Sequence, residues 1–308
     1  MSLPAAIPIG VGVPQSFPDR PVDPEAIRRY LARAEALGFH SVWTQEQILG
    51  RMPTLEPLEL MTFAAACTSR LRLGCAVFLS ALRSPVHLAK MLSSLDQLSQ
   101  GRLEVGVGLG TPRLDAAFGI DSSTRVARFV EGLQVMTALW TQPEVTFAGR
   151  FWQLQAAHME PKPLSQPRPR LWFGANHPNA VRRAVRLGDA FIGAGSASAA
   201  QFAEQVRVLH ACLAEAGRDP SSFPVAKRVY LAVDDDPQRA ADKLAAWFTL
   251  NYGHTIHEQV AVWGPPDACA ERLRQIVAMG AGMLVLTPLF DEAEQIERIA
   301  ADVAPRLA

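Results

Sequence analysis

Short apolar runs alternate with longer apolar stripes of helical spacing along almost the whole chain. Residues 71–77 and 103–107 are compact apolar runs. Between them Ser84-Pro85 opens a stripe of Val86, Leu88, Ala89, Leu92, Leu95 and Leu98, whose spacing is helical rather than alternating. A strand, a helix and a second strand joined by short turns form the repeating unit of a parallel sheet, with a right-handed crossover. The run Cys75-Ala76-Val77-Phe78-Leu79 suits a strand covered on both faces.

The same rhythm predicts further strands at 7–13, 40–44, 170–174, 189–193, 225–233 and 283–287. Helices are expected over 56–69, 122–140, 179–187, 198–216, 266–279 and 292–304, and from Pro237 onward. Another opens at Asp23-Pro24 and ends at Gly38, an N-cap with proline in the first turn and a glycine stop. Two segments break the rhythm. Residues 141–169 carry a hairpin pattern at 145–152 and then a proline-rich run to Pro169, and residues 251–264 are irregular. Eight strands, nearly all followed by helices, with no shift in composition, predict a single α/β domain over 1–308. The expected architecture is a (β/α)8 TIM barrel with its insertions over the C-terminal face, the alternative being a doubly wound open sheet.

Composition narrows the function. At 49% hydrophobic residues the chain can bury a large core. Lys plus Arg and Asp plus Glu are both 30, so the formal net charge is zero. That balance argues against nucleic acid or an anionic membrane as partner, and it leaves a homodimer open. Cys67, Cys75, Cys212 and Cys269 show no CxxC pairing and read as reduced thiols in apolar surroundings. The N-terminus has no signal-peptide pattern and no apolar stretch reaches membrane-spanning length, so a cytoplasmic protein is expected.

Three segments carry candidate chemistry. Gly106-Val107-Gly108-Leu109-Gly110 follows a strand, but Thr111 stands where a dinucleotide fingerprint needs its third glycine. The turn reads either as a tight strand exit or as backbone approaching a flat ring or a phosphate. Phe173-Gly174-Ala175-Asn176-His177-Pro178-Asn179 joins a strand to a helix N-terminus, a phosphate cradle or an ordinary asparagine cap. Trp43-Thr44-Gln45-Glu46-Gln47 ends the second strand, where side chains would overhang a barrel mouth. His254 and His257 have no third ligand nearby, so no metal is expected.

Taken together, ARAEALGFHSVW, RSPVHLAK with LDQLSQGRLEVGVGLG, FGANHPNAVRRAVRLGDAF and GPPDACAERLRQIVAMGAGMLVLTP resemble the bacterial luciferase-like monooxygenase superfamily over nearly the whole chain. The resemblance implies a TIM barrel that binds coenzyme F420 or FMN and works by hydride transfer or flavin-mediated oxygen insertion. It implies a non-prolyl cis peptide at Ala76-Val77, in a bulge behind the ring. It places Gly106, Gly108, Leu109 and Thr111 along the ring and its tail, and Ala175, Asn176, His177 and Ala180 at the phosphate end. Many members carry a histidine where this chain has Gln47, and glutamine cannot titrate. Glu46 and His177 remain as candidate proton donors. Leu109 stands where luciferases proper have an arginine, so luciferase activity is not expected.

The leading expectation is an oxidoreductase that moves hydride between coenzyme F420 and a small organic substrate. The alternatives are an FMN-dependent monooxygenase fed by a separate flavin reductase, and a non-catalytic flavin-binding protein. Loops 45–55, 141–169 and 251–264, with Trp152, Trp247, Phe248 and Tyr252, are expected to shape the substrate pocket.

Overall fold

The computed structural model describes residues 3–308. Its strands are β1 (Ile9–Gly12), β2 (Ser41–Thr44), β3 (Arg72–Phe78), β4 (Leu103–Val107), β5 (Val145–Ala148), β6 (Gln153–Ala157), β7 (Arg170–Phe173), β8 (Ala190–Gly193), β9 (Val225–Val233), β10 (Ala261–Gly264) and β11 (Met283–Pro288). The helices are α1 (Pro24–Leu37), α2 (Pro57–Cys67), α3 (Pro85–Leu98), α4 (Arg125–Thr141), α5 (Pro178–Leu187), α6 (Ala199–Glu215), α7 (Pro237–Tyr252), α8 (His257–Val260), α9 (Pro266–Ala278) and α10 (Glu292–Arg298). β1, β2, β3, β4, β7, β8, β9 and β11 pair in parallel in that order, and β11 returns to β1 through Ile9 opposite Leu284. This is a closed (β/α)8 barrel, and its eight strands are the eight that the apolar runs predict. The open sheet is excluded by the pairing of β11 with β1.

Local chemistry starts and stops the elements where expected. The Asp23 carboxylate accepts the Glu25 and Ala26 N–H groups at the start of α1, and Gly38 ends that helix at φ +87°. Ser84 caps α3, and Ser198 with Gln201 forms a capping box on α6. Inside the barrel Trp43 and Trp172 meet edge to face at 5.8 Å. Gly74 makes room for them, since a Cβ there would lie 2.4 Å from the Trp43 ring. The Trp172 indole donates to buried Glu104 at 2.7 Å.

Three segments differ from the sequence expectation. The hairpin runs to Ala157, and residues 149–152 form its turn. The Glu131 carboxylate accepts the N–H groups of Arg150, Phe151 and Trp152 and holds them there. Within the irregular 251–264 segment, β10 pairs with Tyr230–Val233, the upper part of β9. β9 is long enough to serve β8 at its lower end and β10 at its upper end. Finally α10 stops at Arg298 and continues as a π-helical turn, Ile299–Val303, and a 3-10 turn, Ala304–Leu307. Among the described residues no helix is long and apolar enough to cross a membrane.

Glu35 ties the end of α1 to the start of β3. Its carboxylate accepts the N–H groups of Ser69, Arg70 and Leu71 at 2.9, 2.7 and 3.1 Å. Burial alone would raise its pKa, but these donors outweigh burial and hold Glu35 below the ordinary glutamate range. A depressed carboxyl stabilises the fold above its unfolded pKa and loses that contribution as pH falls through its folded one. Glu35→Gln is therefore expected to cost about 1 kcal/mol at neutral pH, the carboxylate being partly exposed. Urea unfolding at a series of pH values should show the gap between wild type and variant closing below the unfolded glutamate pKa, about 4.3.

Candidate active site

The C-terminal ends of the barrel strands frame the site, and its key irregularity lies between β3 and β4. Cys75 stands opposite Val105 and Phe78 opposite Val107, so three steps on β3 match two on β4. The extra residue falls at Ala76-Val77, which are joined by a cis peptide bond as the resemblance implies. Glycines accept the bulge. A Cβ on Gly106 would lie 2.0 Å from the Cys75 carbonyl oxygen, and one on Gly108 would lie 2.5 Å from Val77 Cγ2. Gly174, at the end of β7, faces Val77 from the other side at 3.0 Å by the same measure.

Above this bulge is a cavity of about 450 Å³. Ala76, Val77, Gly108, Leu109 and Thr111 line one wall, and Ala175, Asn176, His177 and Ala180 line another. The sequence-predicted cofactor residues thus come together, with one correction. Gly106 does not line the cavity; it is buried in β4, where its missing side chain admits the Cys75 carbonyl.

Glu46 and Gln47 do not line it either. The Glu46 carboxylate is fully buried, accepts the Leu79 N–H, and pairs with Arg83, whose Nε lies at 2.8 Å. Burial pushes the Glu46 carboxyl up, against the pull of the Arg83 guanidinium. Arg83 also binds Glu56, the N-cap of α2. Glu46 thus fastens the exit of β3 rather than overhanging the mouth. Gln47 Oε1 lies 3.5 Å from the Thr54 hydroxyl. His177, not an asparagine, caps α5, its Nδ1 accepting the Asn179 N–H at 3.1 Å. Of the expected aromatic wall only Tyr252 borders this cavity. Trp247 borders a narrower neighbouring pocket, Phe248 is core, and Trp152 packs under Arg128 at 4.5 Å.

Sequence reading missed a group of basic and phenolic residues. Arg125, Arg183, Arg228, Tyr230 and the Gly193–Ser196 segment complete the cavity, and no carboxylate lines it. Arg125 pairs with Asp115 at 2.9 Å and donates to the Leu109 and Gly110 carbonyls, shaping the β4 exit. Arg183 has no hydrogen-bond or ion-pair partner among the described residues. Burial, then the charge of Arg186, lowers its pKa. Arg228 borders both this cavity and the narrower pocket at the ends of β1, β2 and β11, and donates to Gln45 Oε1 at 2.6 Å and the Thr287 hydroxyl at 3.3 Å. The signal available was Lys227-Arg228, two cations in the middle of a nine-residue apolar strand. Alternation sends Arg228 inward and Lys227 outward. The Lys227 ammonium, lowered to about 7 by burial and then by Arg228, donates to the Ala194 and Ala197 carbonyls and secures that side of the cavity.

Comparison with known proteins places this geometry. The family profile for luciferase-like monooxygenases matches residues 6–256. An F420-dependent glucose-6-phosphate dehydrogenase of Beutenbergia cavernae is 29% identical over 92% of this chain and 94% of its own length. An uncharacterised Mycobacterium tuberculosis protein is 32% identical over 82% of this chain and 78% of its own. Among solved structures, an F420-dependent secondary alcohol dehydrogenase in complex with an F420-acetone adduct superposes with a TM-score of 0.84 at 21% identity, covering 100% of both chains. The monooxygenase RslO1 of Streptomyces bottropensis gives 0.83 at 24% identity, covering 98% of this chain and 100% of that one. The two structures share the fold.

Gly106 tests the origin of the bulge. Gly106→Ala places a methyl against a backbone carbonyl, which cannot rotate away, and is expected to cost about 1–3 kcal/mol in overpacking. Chemical denaturation should show this loss, whereas Gly119→Ala, where nothing lies within 4 Å of the added carbon, should cost less despite its φ of +65°.

Proposed function

This chain belongs to the luciferase-like monooxygenase family, and we propose that it is an oxidoreductase that moves hydride between coenzyme F420 and a small organic substrate. The observation that carries the reading is the cavity itself. Its floor is backbone and the Ala76-Val77 bulge, and its charged lining is entirely basic. A planar ring needs a flat wall without protruding side chains, and a phosphorylated tail needs donors and positive charge. The residues present meet both needs. The F420-dependent dehydrogenases of the family, aligned along 92% of this chain, favour the deazaflavin over FMN.

In this reading Ala76 and Val77 support the ring, while Gly108, Leu109 and Thr111 run along it. Ala175, Asn176, His177 and Ala180 hold the phosphate end, at the N-terminus of α5 and beside Arg183. The bound coenzyme supplies the redox chemistry. The chain's own residues position the reactants and exclude water. Glu46 and Arg83 keep the bulge in place from behind, and Arg228 presents a guanidinium where the cavity meets the narrower pocket. The organic substrate binds at that end of the larger cavity, beside Arg228, Tyr230 and Tyr252.

Fluorescence titration of the purified protein with oxidised coenzyme F420 and, separately, with FMN tests this. Micromolar affinity for F420 and none for FMN is expected. FMN binding without F420 binding overturns the assignment. Arg183→Ala should weaken F420 binding about tenfold, a loss of about 1.4 kcal/mol and of the size of one charge-assisted contact. Bleaching of F420 in the presence of glucose 6-phosphate or 2-propanol tests turnover.

A further inference from the structure

Two tyrosine hydroxyls meet on the wall of the larger cavity, Tyr230 Oη and Tyr252 Oη, 2.7 Å apart. Neither has another hydrogen-bond partner among the described residues. Two hydroxyls joined by one hydrogen bond use one of their two hydrogens, so the pair keeps a phenolic O–H to offer to a third group. Both rings pack on Phe248, Tyr230 buried and Tyr252 with 38% of its surface exposed. Tyr230 rises from the inner face of β9, is 1% exposed, and packs edge-on against Phe248 at 5.0 Å. Tyr252 is the last residue of α7 and stacks on the same Phe248 at 5.6 Å. Gly195 closes over Tyr230, for a Cβ there would lie 2.9 Å from the ring. The Arg228 guanidinium lies 4.8 Å from the centre of the Tyr230 ring.

The other candidate proton donors are engaged or unsuited. Glu46 is held by Arg83 and the Leu79 N–H, His177 is the exposed cap of α5, and Gln47 does not titrate. We propose that the Tyr230–Tyr252 hydroxyl pair is the proton donor of the reaction, delivering a phenolic hydrogen to the substrate's carbonyl oxygen beside Arg228. The proposal rests on the hydride-transfer reading above. In the reducing direction a hydride, with its electron pair, from a reduced deazaflavin enters the carbonyl carbon, and the π pair moves to oxygen. The oxygen takes the phenolic proton and becomes the alcohol. The phenolate regains a proton from water through its partner hydroxyl, and the oxidising direction is the reverse. Burial, then the neighbouring Tyr230, raises the Tyr252 phenol above its ordinary value, so Tyr252 keeps its proton at neutral pH. The Arg228 charge opposes that rise and favours the transient phenolate.

The chain has three tyrosines, and the third, Tyr30, donates to the Gly12 carbonyl at 2.7 Å. Labelling tyrosine with NMR-active carbon at Cζ therefore gives three resonances, assigned through Tyr230→Phe and Tyr252→Phe. With oxidised F420 bound, saturating cyclohexanone should move the Tyr230 and Tyr252 signals and leave Tyr30 in place. In acetone reduction with reduced F420, either Phe variant should lower kcat on the order of 10²-fold. F420 affinity should not change, and the solvent deuterium isotope effect of the wild type should disappear. Unmoved Tyr230 and Tyr252 signals, or variants that turn over acetone as fast as the wild type, overturn the proposal and leave the functional reading intact. A wild type that neither binds nor turns over F420 ends the functional reading, and the proton-donor role with it.

Discussion

One extra residue on β3, opposite a β4 that cannot lengthen to match, sets the geometry of the barrel mouth. The surplus is absorbed at Ala76-Val77, and it fits only because β4 and β7 present glycines there. The Cys75 carbonyl occupies the space a side chain at Gly106 would take, and the Val77 side chain occupies the corresponding space at Gly108. Interiors pack densely, so a displaced backbone carbonyl must be matched by atoms missing elsewhere. The exit of the strand is then fixed electrostatically. Glu46 from the β2 exit holds Arg83 and the Leu79 amide, and Arg83 reaches on to the cap of α2. The cavity floor, the ion pair and the helix start are one connected arrangement.

β9 supplies the opposite wall and does so from both faces. Its inward residues Arg228 and Tyr230 reach the cavity, while outward Lys227 gathers the carbonyls of the segment after β8. An ammonium with only carbonyl partners is costly to bury, and that cost is visible in its depressed pKa. The reward is a loop segment held over Tyr230. The upper end of β9, paired with β10, is the base from which α7 returns to set Tyr252 against Tyr230.

The parts of this structure written in local sequence were readable, and the parts made by distant residues were not. All eight barrel strands announce themselves as apolar runs, and Asp23, Ser84 and Ser198 cap helices as their residue types suggest. Four residues of β10 beside an irregular segment carry too little periodicity to be read. The hairpin turn is decided by Glu131, some twenty residues earlier in the chain. Glu46 looked like a mouth residue because it follows a strand end, and only the position of Arg83 shows its carboxylate turned inward into an ion pair. The glycine turn and the Ala175–Ala180 region were legible through family resemblance. Tyr252 was expected on the pocket wall, whereas Arg183 and Tyr230 join the site through folding alone.

The charge of this protein is balanced in sum and uneven in place. Equal numbers of cations and anions cancel in the net charge, yet the charged side chains that line the cavity, Arg125, Arg183 and Arg228, are all guanidinium groups. A concave, low-dielectric wall focuses such a local potential outward. The molecule therefore selects by sign at short range: a negatively charged tail is drawn in only once it has diffused to the mouth, within about 10 Å at ordinary ionic strength. Capture should then depend on salt as a property of that mouth, and not of the molecule's total charge.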